Sequence, residues 1–468
     1  MRRLLLAELR DSWSAWLGVC LGFVLTNFTL ALAALVELAG VRAVQAGQMD
    51  MLNSAAFTWL PAFNLVLCAV VGAVVIGSST SLVVDSRRGS LARLTLAGAL
   101  PRQVVATIMS QLVVVCLGCA LVGDLLAYAL LDPTLTFLLA TDNNELQLRA
   151  APVYAAWPVL LANLFAVGLA LAGGHKQARR ASRIAPVEAL RQATGGSDER
   201  MSPGRWVKAA LCLLVILIAY SVIGPVSAGT GPEGFSNTFQ ASALLLVVAG
   251  ALLAQVAPLV VGPLTRLWTA LVPPFDPAWV LTRSTAVAKA TRLTKTVVPV
   301  MMTIGLFFGM AGLGATIQAT LLANGDTTQL EGLGLLSQVP VLGLPLLLAL
   351  SGGVGSLIMM SKQRDAELAL SGIVGTTPAQ RVAMPVMEGL VIAVTGALLS
   401  LVMVAVSVGV MAIGVPATGL VFAFAPPWSV FGVGFLGCAV ITVATTLLPT
   451  LPSLRRPEPR VIARLVAE

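Results

Sequence analysis

Stretches of about 20 consecutive apolar residues recur from one end of this 468-residue chain to the other. A helix of about 20 residues spans the hydrocarbon core of a bilayer, which is roughly 30 Å thick. Hydrophobic residues make up 57% of the chain and charged residues only 11%, which is too little charge to cover the surface of a soluble protein of this length. The sequence therefore predicts an all-α polytopic membrane protein.

We count about ten transmembrane helices, arranged as two parallel four-helix repeats joined by two central helices. The predicted spans are 15–36, 60–84, 104–131, 152–171, 207–226, 241–264, 297–321, 339–360, 386–413 and 428–448. The even number of central spans returns the chain to the same side of the membrane, so the second half can repeat the first in parallel. We divide the chain into a first repeat (1–191), a linker with two central helices (192–278) and a second repeat (279–468).

The placement of the basic residues predicts the orientation. Of the 29 Lys and Arg residues, only Arg42 and Arg149 fall on the side opposite the N-terminus. Cytoplasmic loops are enriched in Lys and Arg, so both termini and both long basic loops are predicted to be cytoplasmic. Arg2, Arg3 and Arg10 precede the first span without a small-residue cleavage site, which argues against a signal peptide. We expect a multi-pass protein of a bacterial-type cell membrane.

One charged loop occurs twice, at 86–111 after the second span and at 361–388 after the eighth. The pattern aligns Leu94, Leu96 and Gly98 with Leu368, Leu370 and Gly372; beyond a stretch three residues longer in the second copy, it aligns Pro101, Gln103 and Gln111 with Pro378, Gln380 and Glu388. Two copies predict an internal duplication. We interpret both loops as docking elements, the alternative being charges that only anchor the chain at the membrane. The candidate docking residues are Arg87, Arg88, Arg93, Leu94, Gly98, Lys362, Arg364, Glu367, Leu368 and Gly372.

Short motifs carry a resemblance to a known family. The sequence R-I-A-P-V-E-A-L-R at 183–191 and the L-x-L-x-G loops at 94–98 and 368–372 resemble the FtsX-like permease family. Its members are the membrane subunits of one class of ABC transporters, which includes the macrolide-exporter type. The resemblance implies a permease that works with a separate ATPase, which would hold the ATP and Mg. It also implies that each docking loop seats on one ATPase, giving two ATPase copies per chain.

The chain departs from many members of that family in one respect. They carry an extracellular domain of a hundred residues or more after the first span of a half. Here the corresponding segments, 37–59 and 322–338, are too short to fold into such a domain. We therefore do not expect this chain to capture a substrate through a large outer domain.

The residues themselves argue against an enzyme. The phosphate-binding pattern G-x-x-x-x-G-K-[ST] is absent from the sequence, so we expect this chain to bind neither ATP nor another cofactor. The only histidine is His175, which excludes histidine-based metal clusters and most catalytic triads. Cys116 and Cys119 have the spacing of a metal or redox pair but lie within a span, where small residues for helix packing are the better interpretation. The partners we expect are a membrane, an ATPase and an amphiphilic substrate, without nucleic acid.

A few polar residues fall within the predicted spans. Asp124 needs a partner, a cavity or a proton, because a carboxylate in hydrocarbon costs about 3 kcal/mol. It is either an acid that reaches water near the outer interface or a member of the substrate path. Asn27, Asn64 and Asn163 favour hydrogen bonds between helices over contact with a ligand. For Glu388, pairing with a basic group of the docking region is favoured over substrate contact.

A transport path between the halves is a further hypothesis. The family resemblance implies that the first two spans of each half line the interface between halves. Phe23 and Phe28 of the first span and Phe307 and Phe308 of the seventh would then face an apolar cleft open to the bilayer. The alternative is that these side chains only pack or meet lipid. Clustered small residues, Gly352, Gly353 and Gly355 among them, predict that the eighth span packs closely against its neighbours.

Three functions remain open at this point. The first is a permease subunit that exports or extracts an amphiphilic compound such as a peptide antibiotic, drug or lipid. The second is an ATP-driven signalling device that controls an outer partner. The third is an ion-driven secondary transporter, which usually places several ionisable groups at the midplane; one aspartate matches this poorly.

Overall fold

The computed structural model describes residues 13–47, 55–86, 98–141, 151–181, 203–228, 231–274, 276–325 and 339–451. These residues form helices and no strand. Nine of the described helices are long and apolar enough to cross a membrane. The remaining predicted span falls on a helix whose apolar stretch, Gly343–Met359, is shorter. The prediction of an all-α polytopic membrane protein is confirmed.

The first half contains α1 (Trp13–Gln45), α2 (Ala55–Ser86), α3 (Pro101–Thr141) and α4 (Ala156–Ala181). The central helices are α5 (Pro203–Ser227) and α6 (Gly231–Leu271). The second half contains α7 (Pro277–Ala288), α8 (Ala290–Ala323), α9 (Val339–Met359), α10 (Ser361–Ile373), α11 (Pro378–Ala417) and α12 (Trp428–Leu447), followed by a 3₁₀ turn at Leu448–Thr450. We call α10 the docking helix.

The two halves share one packing pattern. In the first half α1 packs against α2, α3 and α4, and α4 also packs against α2 and α3. In the second half α8 packs in the same way against α9, α11 and α12, and α12 packs against α9 and α11. The first long helix of each half is therefore its centre, as expected when one four-helix unit occurs twice along a chain.

The central helices belong structurally to the second half. Tyr220 Oη of α5 donates a hydrogen bond to the carbonyl of Val406 at 2.7 Å. Ser407 Oγ donates to the carbonyl of Ser242 of α6 at 2.6 Å. Val406 and Ser407 both lie on α11. These polar contacts inside the membrane therefore hold α5 and α6 to that helix.

The halves meet through α9, which packs against both α1 and α2. Gly18 of α1 and Gly355 of α9 approach so closely that a Cβ on either would overlap the other's backbone carbonyl. A Cβ on Gly352 would come within 2.7 Å of Val75 Cγ2 of α2. The predicted close packing of the eighth span is therefore present, and it forms the seam between the halves.

Candidate functional site

The docking helix is amphipathic across its short length. Leu368 and Ala369 are buried against the protein, whereas Leu370, Ile373 and Val374 are 57%, 59% and 87% exposed. These last three side chains, which we call the apolar tip, lie at the end of the helix that points away from α9. Exposed apolar groups clustered at the end of a helix indicate a surface that another protein or the membrane covers.

Arg364 fixes the docking helix to α11. The residue is only 2% exposed, and its Nε donates to Oε2 of Glu388 at 2.9 Å. Its Nη1 donates to the carbonyl of Leu357, near the end of α9, at 3.3 Å. The prediction that Glu388 pairs with a basic group of the docking region is confirmed by this ion pair.

A second ion pair joins the docking helix to the junction of α7 and α8. Lys289 Nζ lies 2.7 Å from Oε1 of Glu367. Both side chains are about one third exposed, so solvent screening limits this pair to a contribution of about 0–1 kcal/mol. Its main effect is to orient the helix relative to α7.

The docking helix ends in a glycine turn. Gly375 has a φ of +106°, and the N–H groups of Gly375 and Thr376 donate to the carbonyls of Gly372 and Ser371. This pattern is the Schellman motif, in which the residue after the helix takes a left-handed conformation that favours glycine. Three residues later Pro378 begins α11.

Two reciprocal hydrogen bonds between side chain and backbone cap the start of α11. Thr377 Oγ1 accepts from the backbone N–H of Gln380 at 3.3 Å, and Gln380 Oε1 accepts from the backbone N–H of Thr377 at 3.0 Å. With Pro378 at the first helical position, this is a capping box. The glycine turn and the cap together give the chain a sharp, defined entry into the ninth span.

The first loop also ends at a glycine with a positive φ. Gly98 has a φ of +93°, Pro101 begins α3, and Gln103 Oε1 accepts from the backbone N–H of Leu100 at 2.9 Å. Gly98 therefore corresponds to Gly375, and its alignment with Gly372 was wrong. Gly372 lies inside the last turn of the docking helix.

This correction changes the register of the part of the repeat up to the glycine. The offset of 277 positions that relates Gly98 to Gly375 also relates Pro101 to Pro378 and Gln111 to Glu388 without any gap. It pairs Arg87 with Arg364 and Leu91 with Leu368. The signal was present in the sequence as a glycine three residues before a helix-starting proline in each copy.

The remaining candidate docking residues are only partly described. Arg87, Arg88, Arg93 and Leu94 lie outside the described residues. The backbone of Lys362 belongs to the docking helix, but its side chain is likewise outside them. The role of the first loop in docking therefore stays a prediction.

The predicted path phenylalanines do not face an open cleft in this structure. Phe23 and Phe28 are buried, at 0% and 6% exposure, among helices of the first half and its seam with α9. Phe308 is 3% exposed, and its ring centroid lies 4.7 Å from the ring centroid of Phe431 in α12. Phe307, half-buried, packs toward Gly434 of α12. In this structure α1 and α8 turn these side chains inward, and the apolar cleft and the transport path stay predictions.

Asp124 has a partner inside the membrane. Asn163 Nδ2 of α4 donates to Oδ2 of Asp124 on α3 at 2.8 Å, which confirms the predicted interhelical role of Asn163. The other carboxyl oxygen, Oδ1, is buried and has no hydrogen-bond partner within the described part of the chain. Asn27 instead donates to the carbonyl of Phe23 in its own helix, at 2.7 Å. A role for Asp124 in the path remains a prediction.

The site contains no arrangement suited to metal chemistry in the part of the chain that the structure describes, where no three His, Cys, Asp or Glu side chains are grouped as ligands. Its groups can pair charges, hold a helix and present an apolar end to a protein. These properties suit a contact that transmits movement between two proteins.

Comparison with known protein families gives a match. The sequence model of the family described as FtsX-like permease C-terminal matches residues 62–186 and 341–457, which together make up just over half of the chain. Both segments include a docking loop with its glycine turn and the spans that flank it. No curated protein matches the chain.

Proposed function

Because this chain belongs to the FtsX-like permease family, we propose that it is the permease subunit of an ABC transporter that exports or extracts an amphiphilic compound, such as a peptide antibiotic, drug or lipid. A separate ATPase supplies the chemistry and holds ATP and Mg. The observation that carries the proposal is the apolar tip, exposed on a helix that two ion pairs connect to the membrane bundle.

The contacts of the docking helix support a coupling role. A displacement of the apolar tip passes through Arg364 and Glu388 to α11 and through Glu367 and Lys289 to α7 and α8. Since α8 packs against α9, and α9 forms the seam with α1 and α2, the motion reaches the contact between the halves. Rigid helices joined in this way can carry a movement over the length of a span.

Two loops with the same glycine and proline spacing support two ATPase copies on one permease chain. Gly98 and Gly375 both have a positive φ, and each lies three residues before the proline that begins the next helix. A single chain would then satisfy the pseudo-twofold arrangement of an ATPase pair. Native mass measurement of the complex tests this, and a complex with two permease chains would contradict it.

The short outer segments support a path within the membrane bundle. The stretches 37–59 and 322–338 offer little specific surface for a substrate. The largest surface available to an amphiphile is the bundle itself, reached from the lipid. The seam at α9 is the place where the halves can separate to open such a path.

Reconstitution tests the proposal directly. The purified chain and its ATPase are placed in lipid vesicles, and ATP turnover and compound efflux are measured across a panel of amphiphiles. The proposal predicts that at least one compound stimulates turnover and crosses the membrane. Turnover that responds only to an outer protein partner, with no compound moved, would instead identify the signalling device.

A further inference from the structure

The contact between Asp124 of α3 and Asn163 of α4 leaves two buried oxygens without a hydrogen-bond donor. Nδ2 of Asn163 donates to Oδ2 of Asp124 at 2.8 Å. The other oxygen of each group, Oδ1 in both residues, is buried and has no hydrogen-bond partner in the described part of the chain. Tyr128, one turn away on α3, donates its hydroxyl to the carbonyl of Ala155 instead. With an ionised aspartate, which only accepts, the pair would hold two unsatisfied acceptors.

Water has no room to supply the missing donors. Each of the two oxygens has less than 1 Å² of accessible surface, so a water molecule can contact almost no part of either atom. Asn163 lies seven residues beyond Ala156, where α4 begins, which places it about 10 Å from that end of the helix. Its neighbours Leu160 and Leu164 are exposed, as expected of side chains that face lipid. The two acceptors therefore lie beside hydrocarbon, where an unsatisfied polar atom is costly.

No cation balances a carboxylate at this depth on the helices packed against α3, which are α1 and α4. On α1, Asn27 packs beside the residue that precedes Asp124, and its Nδ2 donates within its own helix. The nearest charged residue of α1 is Glu37, ten positions from Asn27, and the nearest ionisable residue of α4 is His175, twelve positions from Asn163. At the rise of a helix these separations are about 15 Å or more.

A single proton satisfies both oxygens. A hydroxyl at Oδ1 of Asp124 can donate to Oδ1 of Asn163 while Nδ2 of Asn163 donates to Oδ2 of Asp124. The two side chains then exchange two hydrogen bonds, and no charge is placed in the membrane, where it would be costly. Turning the amide of Asn163 over would bring its oxygen close to Oδ2 of Asp124, and two oxygens at that distance likewise need a proton between them.

The second half joins the corresponding helices through a neutral contact. At the offset of 277 positions, Asp124 corresponds to Leu401 of α11. There Oγ1 of Thr446 on α12 donates to the carbonyl of Pro385 on α11 at 3.0 Å. A charge is thus no requirement of the four-helix unit, and in each half an uncharged hydrogen bond can hold the last helix to the one before it.

We propose that Asp124 is protonated in the folded protein and forms a neutral acid–amide pair with Asn163, which holds α4 against α3. The proposal assigns this acid to the assembly of the first half and not to the binding of a cationic substrate. It goes beyond the proposed function and does not depend on transport.

Infrared spectroscopy of the full chain in lipid at neutral pH tests the protonation. A protonated carboxyl has a carbonyl stretch that an ionised carboxylate lacks. Asp124→Asn should lose one such band relative to the unaltered chain. Asp132→Asn is the matched control, because Asp132 is exposed on the same helix just beyond the predicted span, and this variant should keep the band. If Asp124→Asn shows no loss of the band, the aspartate is ionised and the proposal is overturned.

Thermal unfolding tests the pairing. Asp124→Asn should unfold at the temperature of the unaltered chain, because two amides also exchange two hydrogen bonds. The double variant Asp124→Asn/Asn163→Asp moves the acid to α4 and should keep both this temperature and the infrared band. Asn163→Leu leaves Asp124 without its partner and should lower the unfolding temperature by about 2–4 °C.

Three outcomes of the unfolding experiment contradict the pair. Asp124→Asn that unfolds as early as Asn163→Leu would show that the fold needs the charge. Loss of the infrared band in the double variant would show that the two positions do not share one proton. An unfolding temperature unchanged by Asn163→Leu would show that this contact does not hold α4 to α3.

Discussion

Arg364 of the docking helix lies 2.9 Å from Glu388 of α11, and the arginine is almost completely buried while the glutamate remains partly exposed. The pair therefore links the short docking helix to α11, a helix of membrane-spanning length. A buried arginine that loses its partner is costly, so the docking helix has one preferred position relative to α11. In the first half the residue that corresponds to Glu388 is the neutral Gln111.

This pair gives a graded prediction. Glu388→Ala leaves the buried guanidinium without its carboxylate and is expected to destabilise the folded chain by about 2–4 kcal/mol, below the upper range for breaking a buried pair because Glu388 is partly exposed. Glu388→Gln keeps a neutral acceptor, as in the first loop, and is expected to cost about 1 kcal/mol. Thermal unfolding in detergent measures both. Equal losses in the two variants would contradict the pair as the cause.

The glycine turn gives a second prediction, with its control in the same loop. Gly375→Ala places a side chain at a φ of +106° and is expected to cost about 1–2 kcal/mol. Gly372→Ala, within the helix, is expected to be neutral or to stabilise by up to about 1 kcal/mol. Gly98→Ala should behave like Gly375→Ala.

Unfolding temperatures and ATPase-coupled turnover of these three variants decide between the two registers of the repeat. Loss of coupling in Gly372→Ala with normal behaviour of Gly375→Ala would restore the first alignment. The open space around a Cβ built on Gly375 means that backbone conformation, not crowding, is what the substitution tests.

The spans could be predicted from the sequence because the length and position of apolar runs are directly visible in it. The direction of Phe23 or Phe308 could not, because lipid is as apolar as a neighbouring helix and polarity does not mark the buried face of a membrane helix. Small residues did mark one such face, on α9. The pairing of Glu388 was also predictable, since a charge at the end of a span needs a nearby partner.

The register of the two loops up to the glycine was predicted wrongly for a local reason. Matching leucines suggested one alignment, but helix ends are set by conformation, and the requirement for a left-handed residue before Pro101 and Pro378 outweighs apolar similarity within a short helix. Similarly, the packing of α9 against α1 and α2 depends on contacts between distant segments. A single sequence does not show which of several small-residue faces meets which neighbour.

The apolar tip gives a third prediction. Ile373→Asp and Val374→Asp place a charge where the partner is expected to cover an apolar surface, and each should reduce ATPase binding at least about tenfold. The folded chain should lose no more than about 1 kcal/mol, because both side chains are exposed and an acid at the C-terminal end of a helix is only mildly unfavourable. Ala379→Asp is the control: it adds the same charge in the first turn of α11, where the helix dipole favours it. Co-purification and titration of the ATPase measure the effect, and normal binding by both tip variants would rule out this surface as the docking contact.

The seam between the halves gives the last prediction. A Cβ on Gly355 overlaps the backbone carbonyl of Gly18, and backbone cannot move aside as a side chain can, so Gly355→Ala is expected to cost about 1–3 kcal/mol through overpacking. On the same helix a Cβ on Gly353 meets its nearest neighbour, Val300 Cγ2, at 3.7 Å, so Gly353→Ala is expected to fold normally. If ATP-driven motion opens the bundle at this seam, Gly355→Ala should also change substrate-stimulated turnover while Gly353→Ala does not. Thermal unfolding and turnover in vesicles check the two parts separately, and a Gly355→Ala protein with normal stability and normal turnover would show that α9 and α1 are not held together by this contact.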